Sequence, residues 1–427
     1  MHCRSQISGL CLALLLAGMA SSQEWSRFRG PNGSGQSDAT TIPVSWGENE
    51  HLWKVELPGI GHSSPVLWGE RIFLTSADTA NGTRFVLCLS ATDGAKQWTQ
   101  EFPSKTHQIH TQNSLASSTP AVDEQHVYCA WATPEEFSVV ALAHDGKPVW
   151  RANLGKFVSQ HGFGTSPIVH GDLLIITNDQ DADSFLIALD KSSGQTRWKI
   201  PRKVLDKQST SYAAPCIYQP PAGPAELIVA SWAHGITSID PKSGKTNWEV
   251  EVLERRPVGS PILVDGLILA NCGEGSGNNS VVAVRPGSAS GREAELLYKI
   301  DRTSAPYVPT LVAHGSLVFL WGDRGVVTCI DARSGKQHWH ERVGGTFSSS
   351  PVRVADRIYG VSADGEVVTL AAADTFKVLG RSSLGESTRA TPAVAGGRMF
   401  LRTESHIVAV GKNPAAVGKN PVAVGKQ

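Results

Sequence analysis

The feature that most constrains this chain is a unit that returns eight times along its 427 residues. It appears as Ser64-Pro65-Val66, Thr119-Pro120-Ala121, Ser166-Pro167-Ile168, Ala214-Pro215-Cys216, Ser260-Pro261-Ile262, Val308-Pro309-Thr310, Ser350-Pro351-Val352 and Thr391-Pro392-Ala393. Successive prolines stand 55, 47, 48, 46, 48, 42 and 41 residues apart. A repeat of this length cannot bury a core alone and must stack on its neighbours, as propeller blades do.

Each unit carries the parts of a four-stranded antiparallel sheet. The proline opens the first strand, where a missing N–H costs least. A turn such as Gly171-Asp172 follows, then an apolar strand such as Leu173-Leu174-Ile175-Ile176. The third strand ends near an aspartate, as in Phe185 to Asp190, and a glycine turn leads into the last, as in Ser193-Gly194-Gln195-Thr196-Arg197-Trp198. No stretch shows a sustained 3.6-residue apolar stripe, so almost no helix is expected. Trp98, Trp150, Trp198, Trp248 and Trp339 fall at one place in their units, with Tyr298 at that place in the fifth. An aromatic repeated in this way packs between neighbouring blades.

The two ends predict how the ring closes. The eighth unit stops after Val410 without a fourth strand, whereas Leu52 to Leu57 has the outer-strand pattern and no blade before it. Pairing the two satisfies an open sheet edge. The expectation is an all-β fold, an eight-bladed β-propeller of four-stranded antiparallel blades over residues 52–410, closed by the N-terminal strand with Trp53 beside the strand containing Val408. Residues 23–51 are read as an extended N-terminal segment and 411–427, with its seven-residue Gly-Lys-Asn-Pro repeat, as a disordered tail.

Residues 1–22 read as a signal peptide: a weakly basic start, an apolar run from Leu10 to Ala20, then small residues. Met19 stands where a lipoprotein signal would place its acylated cysteine. A periplasmic or secreted monomer with no membrane span is expected. Lys plus Arg balance Asp plus Glu at 39 each, which leaves no net field for nucleic acid. The mature cysteines, Cys88, Cys129, Cys216, Cys272 and Cys329, include no Cys-x-x-Cys and read as buried thiols.

The pattern Leu-x-Ala-Leu-Asp, Ser-Gly-Lys/Gln, Trp, as in Ile187 to Trp198, resembles the repeats of the pyrroloquinoline-quinone-like propeller superfamily over roughly Trp53 to Val410. That superfamily joins quinoprotein dehydrogenases to the BamB outer-membrane assembly lipoproteins. The opening Trp25-Ser26-Arg27-Phe28-Arg29-Gly30-Pro31-Asn32-Gly33 is similar to the start of a group of exported propellers from planctomycete-type bacteria. The resemblance implies either a binding and assembly platform or an enzyme using pyrroloquinoline quinone with calcium. Quinoprotein dehydrogenases cover their cofactor with a disulfide between adjacent cysteines, and this chain has no adjacent pair. The reading is therefore a non-catalytic platform with no cofactor, binding a protein, peptide or glycan, with the quinoprotein dehydrogenase as the alternative.

Antiparallel strands sort the turns onto two faces. Second-to-third turns and the links between blades share the face that collects the unusual polar residues, so the binding candidates lie there. Blade links contribute His107, His110, Asn113, His161, Tyr307 and Arg389. Turns contribute Asp179, Asp181, Trp232, His234, Glu274, Trp321, Asp323, Arg324, Glu404 and His406. His107 and His110 sit on an extended stretch that does not fix both toward one ion. Asp179-x-Asp181-x-Asp183 resembles the start of a calcium loop but has Ser184 at position six and Asp190 at position twelve, so a hydrogen-bonded turn is expected and no metal. No catalytic constellation is read from the sequence.

Overall fold

Eight antiparallel sheets form the ring in the computed structural model, which describes residues 24–412 apart from 206–209, 289–290 and 302. The segment 1–22 expected as a signal peptide and the tail beyond Lys412 expected to be disordered lie outside those residues. The innermost strands of blades 1 to 8 are Val66–Trp68, Ala121–Val122, Ile168–His170, Cys216–Tyr218, Ile262–Val264, Val312–His314, Val352–Val354 and Ala393–Ala395. Middle strands such as Leu173–Asn178 are buried throughout, while outer strands such as Lys96–Phe102 are exposed or half-buried up to the buried Phe102. The apolar runs of the sequence therefore mark the strands covered on both faces. Two 3₁₀ turns, Pro31–Gly33 and Glu48–Glu50, are the helical elements among the described residues.

The ring closes as the two chain ends predict. Trp53–Glu56 pairs antiparallel with His406–Gly411, placing Trp53 opposite Ala409 and Lys54 opposite Val408. Trp53 then repeats what the blade aromatics do. Each lies over the glycine turn of the next blade: a Cβ on Gly94 would come within 2.8 Å of Trp53, one on Gly146 within 2.8 Å of Trp98, and one on Gly335 within 2.7 Å of Tyr298. The indole N–H groups of Trp53, Trp98, Trp150, Trp198 and Trp339 donate to the carbonyls of Ala91, His144, Lys191, Pro241 and Ala373, each in the following blade. Blade 7 has Gly380 at the aromatic position, opposite Thr369 as Trp339 is opposite Cys329. Blade 8 has no third-to-fourth turn to receive an indole, because its fourth strand comes from the N-terminus. Val44 and Ser45 pack against Gly380 instead.

A second circle of contacts corrects one register. The residue two positions before an inner strand, wherever it is a serine or threonine, offers its hydroxyl to the backbone N–H at the same position of the preceding blade: Ser64 N donates to Thr119 Oγ1, Thr119 N to Ser166 Oγ, Ala214 N to Ser260 Oγ, Ser260 N to Thr310 Oγ1, Thr310 N to Ser350 Oγ, Ser350 N to Thr391 Oγ1 and Thr391 N to Ser64 Oγ. In blade 6 the equivalent residue is Thr310, so Leu311, not Pro309, holds the proline position. Pro309 lies two residues early, in the blade link. The link from Ser166 is missing because Ala214 has no hydroxyl.

Residues 24–51, expected only as an extended segment, cross the channel and seal one end of it. Trp25 bridges Leu67 of blade 1, Val122 N of blade 2 donates to Ser26 O, Asn32 exchanges two bonds with Ile217 of blade 4, and Gln36–Ser37 adds a parallel strand to blade 7. Arg27 donates to Pro215 O, and Arg29 to Leu311 O and Pro351 O as well as to Gly33 O and Ser34 O. Both guanidiniums are buried, and burial pulls Arg27 down to about 10 and Arg29 to about 9. Gly30, at φ +67°, is required because a Cβ there would lie 2.5 Å from the Trp25 ring. The sequence Trp25 to Gly35 is thus a plug whose arginines hold the inner strands of three blades by their carbonyls.

Candidate functional site

Above the plug, the other end of the channel opens as a funnel of about 850 Å³. Its floor is Phe28, presented by the plug, together with the circle of hydroxyls from Ser64, Thr119, Ser166, Thr310, Ser350 and Thr391. Its walls are blade links and second-to-third turns, the face on which the unusual polar residues were expected. Among the candidates, His110, Asn113, His161, Glu274, Tyr307, Asp323, Arg324 and Arg389 line it.

The links that carry these residues are braced against one another. Asn113 Nδ2 donates to His161 O at 2.7 Å and His110 N to the same carbonyl at 3.3 Å, which brings the two imidazole centroids to 5.0 Å. Burial, then Arg256 and His110, push His161 down to about 4. Burial, then Arg389 and Arg402, push His62 down to about 3. Both rings are therefore neutral near pH 7. Asp323 accepts from Tyr307 N at 2.7 Å and Val308 N at 3.0 Å, fixing the link that also carries Pro309. Burial raises its carboxyl above the usual range despite those amides. Glu274 accepts from Asn278 and faces Arg255 at 3.4 Å. The funnel's two carboxylates are thus committed to protein partners.

The other candidates stand elsewhere, each for a packing reason. Trp321 is wholly buried, wedged between Gly360 and Phe347 at the interface of blades 6 and 7. Asp179 is buried in an ion pair with Arg202 at 3.0 Å, and Asp181 accepts from Thr210 N and Oγ1, so this turn is braced by hydrogen bonds. Trp232 lines a shallow outer groove with Lys203, Leu205, Glu251 and Leu296. His234 accepts Lys203 N at Nε2, which leaves its proton at Nδ1 facing Glu249 at 2.9 Å. Glu404 accepts from Ser387, and His406 faces Glu386 at 3.1 Å, on blade 8. His107 is partly buried, with its imidazole held below the ordinary range by burial and by Arg84.

Sequence reasoning missed Phe28, His62, Tyr212, Arg256, Arg342 and Phe347, all funnel-lining. The pair Arg255-Arg256 was the one visible signal, and it did not say which arginine faces inward. Arg256 is buried, with Nε donating to Thr210 O at 2.8 Å, while Arg255 reaches Glu274. The five described cysteines are free and buried, and burial raises Cys88, Cys129, Cys216 and Cys329 to about 12 or above. Among the described residues no cluster of three or more His, Cys, Asp or Glu side chains is placed to hold a metal ion, and no helix is long and apolar enough to cross a membrane.

Comparison with known proteins bears on what such a funnel serves. The family model described as outer membrane protein assembly factor BamB matches residues 84–295 and 278–413. No curated protein matches the sequence significantly. Among solved structures, BamB from Moraxella catarrhalis aligns over 83% of this chain and 97% of its own, at 15% identity and a TM-score of 0.59. A europium-containing methanol dehydrogenase covers 91% of this chain and 90% of its own, at 14% identity and 0.67. The quinohemoprotein alcohol dehydrogenase of Comamonas testosteroni covers 95% and 82%, at 13% identity and 0.64. At such identities these structures share the fold, and the fold alone does not separate a platform from a dehydrogenase.

Proposed function

This chain belongs to the family described as outer membrane protein assembly factor BamB, and from that premise we propose that it is an exported, non-catalytic platform holding a protein segment, peptide or glycan in its central funnel. The observation that carries this reading is the sealed base. With Arg27 and Arg29 bonded to inner-strand carbonyls and Phe28 as floor, the channel is a one-ended recess with rigid walls and a polar, aromatic-lined mouth. Binding sites of this kind are concave, largely preformed and carry a few fixed polar groups.

The quinoprotein alternative draws support from the likeness to the two dehydrogenases. Against it stands the donor set. Calcium takes six to eight oxygens, with carboxylates prominent among them. Here Asp323 spends both oxygens on backbone amides and Glu274 faces Arg255, so the residues present do not fit a calcium-bound quinone.

A photo-crosslinking amino acid placed at Thr346 in the funnel lining, and separately at Arg197 on the face of the third-to-fourth turns, tests the proposal in cells. Adducts from position 346 alone are expected. Adducts from 197 alone overturn the assignment of the funnel. Saturable binding of pyrroloquinoline quinone with calcium, followed by alcohol oxidation, overturns the non-catalytic reading.

A further inference from the structure

The funnel's lining carries more positive than negative charge. Arg256, Arg324, Arg342 and Arg389 all line it, and among the described residues none of the four lies within ion-pair distance of a carboxylate. Elsewhere arginines are routinely paired: Arg151 with Glu136, Arg197 with Asp190, Arg202 with Asp179, Arg381 with Glu366 and Arg398 with Glu70. The funnel arginines instead meet neutral acceptors: Thr210 O for Arg256, Arg324 O for Arg342 and the Gln112 side chain for Arg389. Below the floor, Arg27 and Arg29 add two buried cations bonded only to carbonyls. Among the described residues two carboxylates share the lining, Glu274, which is paired with Arg255, and Asp323, which accepts from two backbone amides and lies in the field of Arg324, so the four guanidiniums leave an excess of positive charge. A recess with an excess of one sign of charge concentrates counter-ions, and guanidiniums match carboxylates by their planar fork.

We propose that the funnel takes a carboxylate-bearing ligand, received end-on by Arg256, Arg324, Arg342 and Arg389 above the Phe28 floor. The inference rests on the funnel being the binding site and deepens it by naming the ligand chemistry. Because the recess has one opening, it receives a chain end or a small molecule rather than the middle of a strand. The carboxylates come from one of two sources, a free polycarboxylate or the acidic terminus of a peptide.

Isothermal titration of the full mature chain at low salt separates these. The probes are tricarballylate, a hexapeptide ending in two aspartates with a free C-terminus, and the same peptide with asparagines and a C-terminal amide. At least one acidic probe is expected to bind, at least tenfold more tightly than the amide peptide, with affinity falling as sodium chloride is raised. The double variant Arg324→Gln, Arg389→Gln, both solvent-accessible, is expected to weaken it at least tenfold with an unchanged unfolding midpoint, and Arg256→Gln to do the same if it folds. Arg197→Gln, on the opposite face, is expected to change nothing. Tricarballylate binding alone identifies the free source and peptide binding alone the chain end. If the amide peptide binds as well as the acidic one, or the double variant binds as well as the parent, the charge inference is overturned. The funnel as a platform then stands or falls separately, on crosslinking from position 346.

Discussion

The two ends of the channel use the same residue type in opposite ways. At the base, Arg27 and Arg29 are buried and spend their donors on carbonyls of blades 4, 6 and 7. At the mouth, Arg324 and Arg389 remain accessible and, among the described residues, form no ion pair with a carboxylate. A buried cation without a counter-ion is stable only when its N–H groups are satisfied, and backbone carbonyls can do that without a carboxylate. The base arginines are therefore fasteners, whereas those of the mouth are available to something that comes from solution.

Removing a fastener is the sharpest way to break the comparison. Arg29→Ala leaves the carbonyls of Leu311 and Pro351 buried without their donor and opens a cavity, so a loss of about 3–5 kcal/mol is expected in denaturant unfolding. A loss under about 0.5 kcal/mol, the size of an ordinary surface change, means the plug does not hold the ring. Ala214→Ser supplies the missing member of the hydroxyl circle and is expected to stabilise by about 1 kcal/mol, read as a raised thermal midpoint. No change there means that the circle follows from the blade geometry without adding to it.

The mouth yields smaller effects. His62 and His161 have native values near 3 and 4 against an ordinary 6.5, so the native state binds fewer protons than the unfolded chain between pH 6.5 and about 4. Stability is then fully present above pH 6.5 and falls as the pH drops through that window. His161→Asn is expected to flatten its share of the slope in unfolding curves taken from pH 7 to 4, and an unchanged slope refutes the neutral-imidazole assignment. Smallest of all, Arg324→Ala is expected to shift stability by less than about 0.5 kcal/mol while weakening the acidic probe's binding at the funnel. A larger shift would make it a fastener too.

The ring itself was legible because its parts repeat. Eight similar units, a recurring tryptophan and an incomplete last sheet specify the blade count and the placing of Trp53 beside the strand that contains Val408. The register of blade 6 was not, because Pro309 imitates a marker whose physical position belongs to Leu311. Trp321, Asp179 and Asp181 follow strands into turns as the funnel residues do, and only packing tells a wedge or a braced turn from a rim. The plug was least legible. Its residues have no period, and their partners are remote: Arg29 meets Leu311 across 282 positions of sequence. Without the plug, Phe28 has no place and the funnel no floor.

That the closing strand belongs to the first eighth or so of the chain has a consequence for assembly. Residues near Trp53 leave the ribosome long before Ala409 exists, and at usual elongation rates the interval is on the order of tens of seconds. Throughout it the nascent chain carries an unpaired strand, a bare sheet edge and a set of arginines without acceptors. The last sheet to be synthesised therefore decides when the earliest segment becomes native, and variants that delay it should show their defect as aggregation before maturation rather than as weakness in the finished ring.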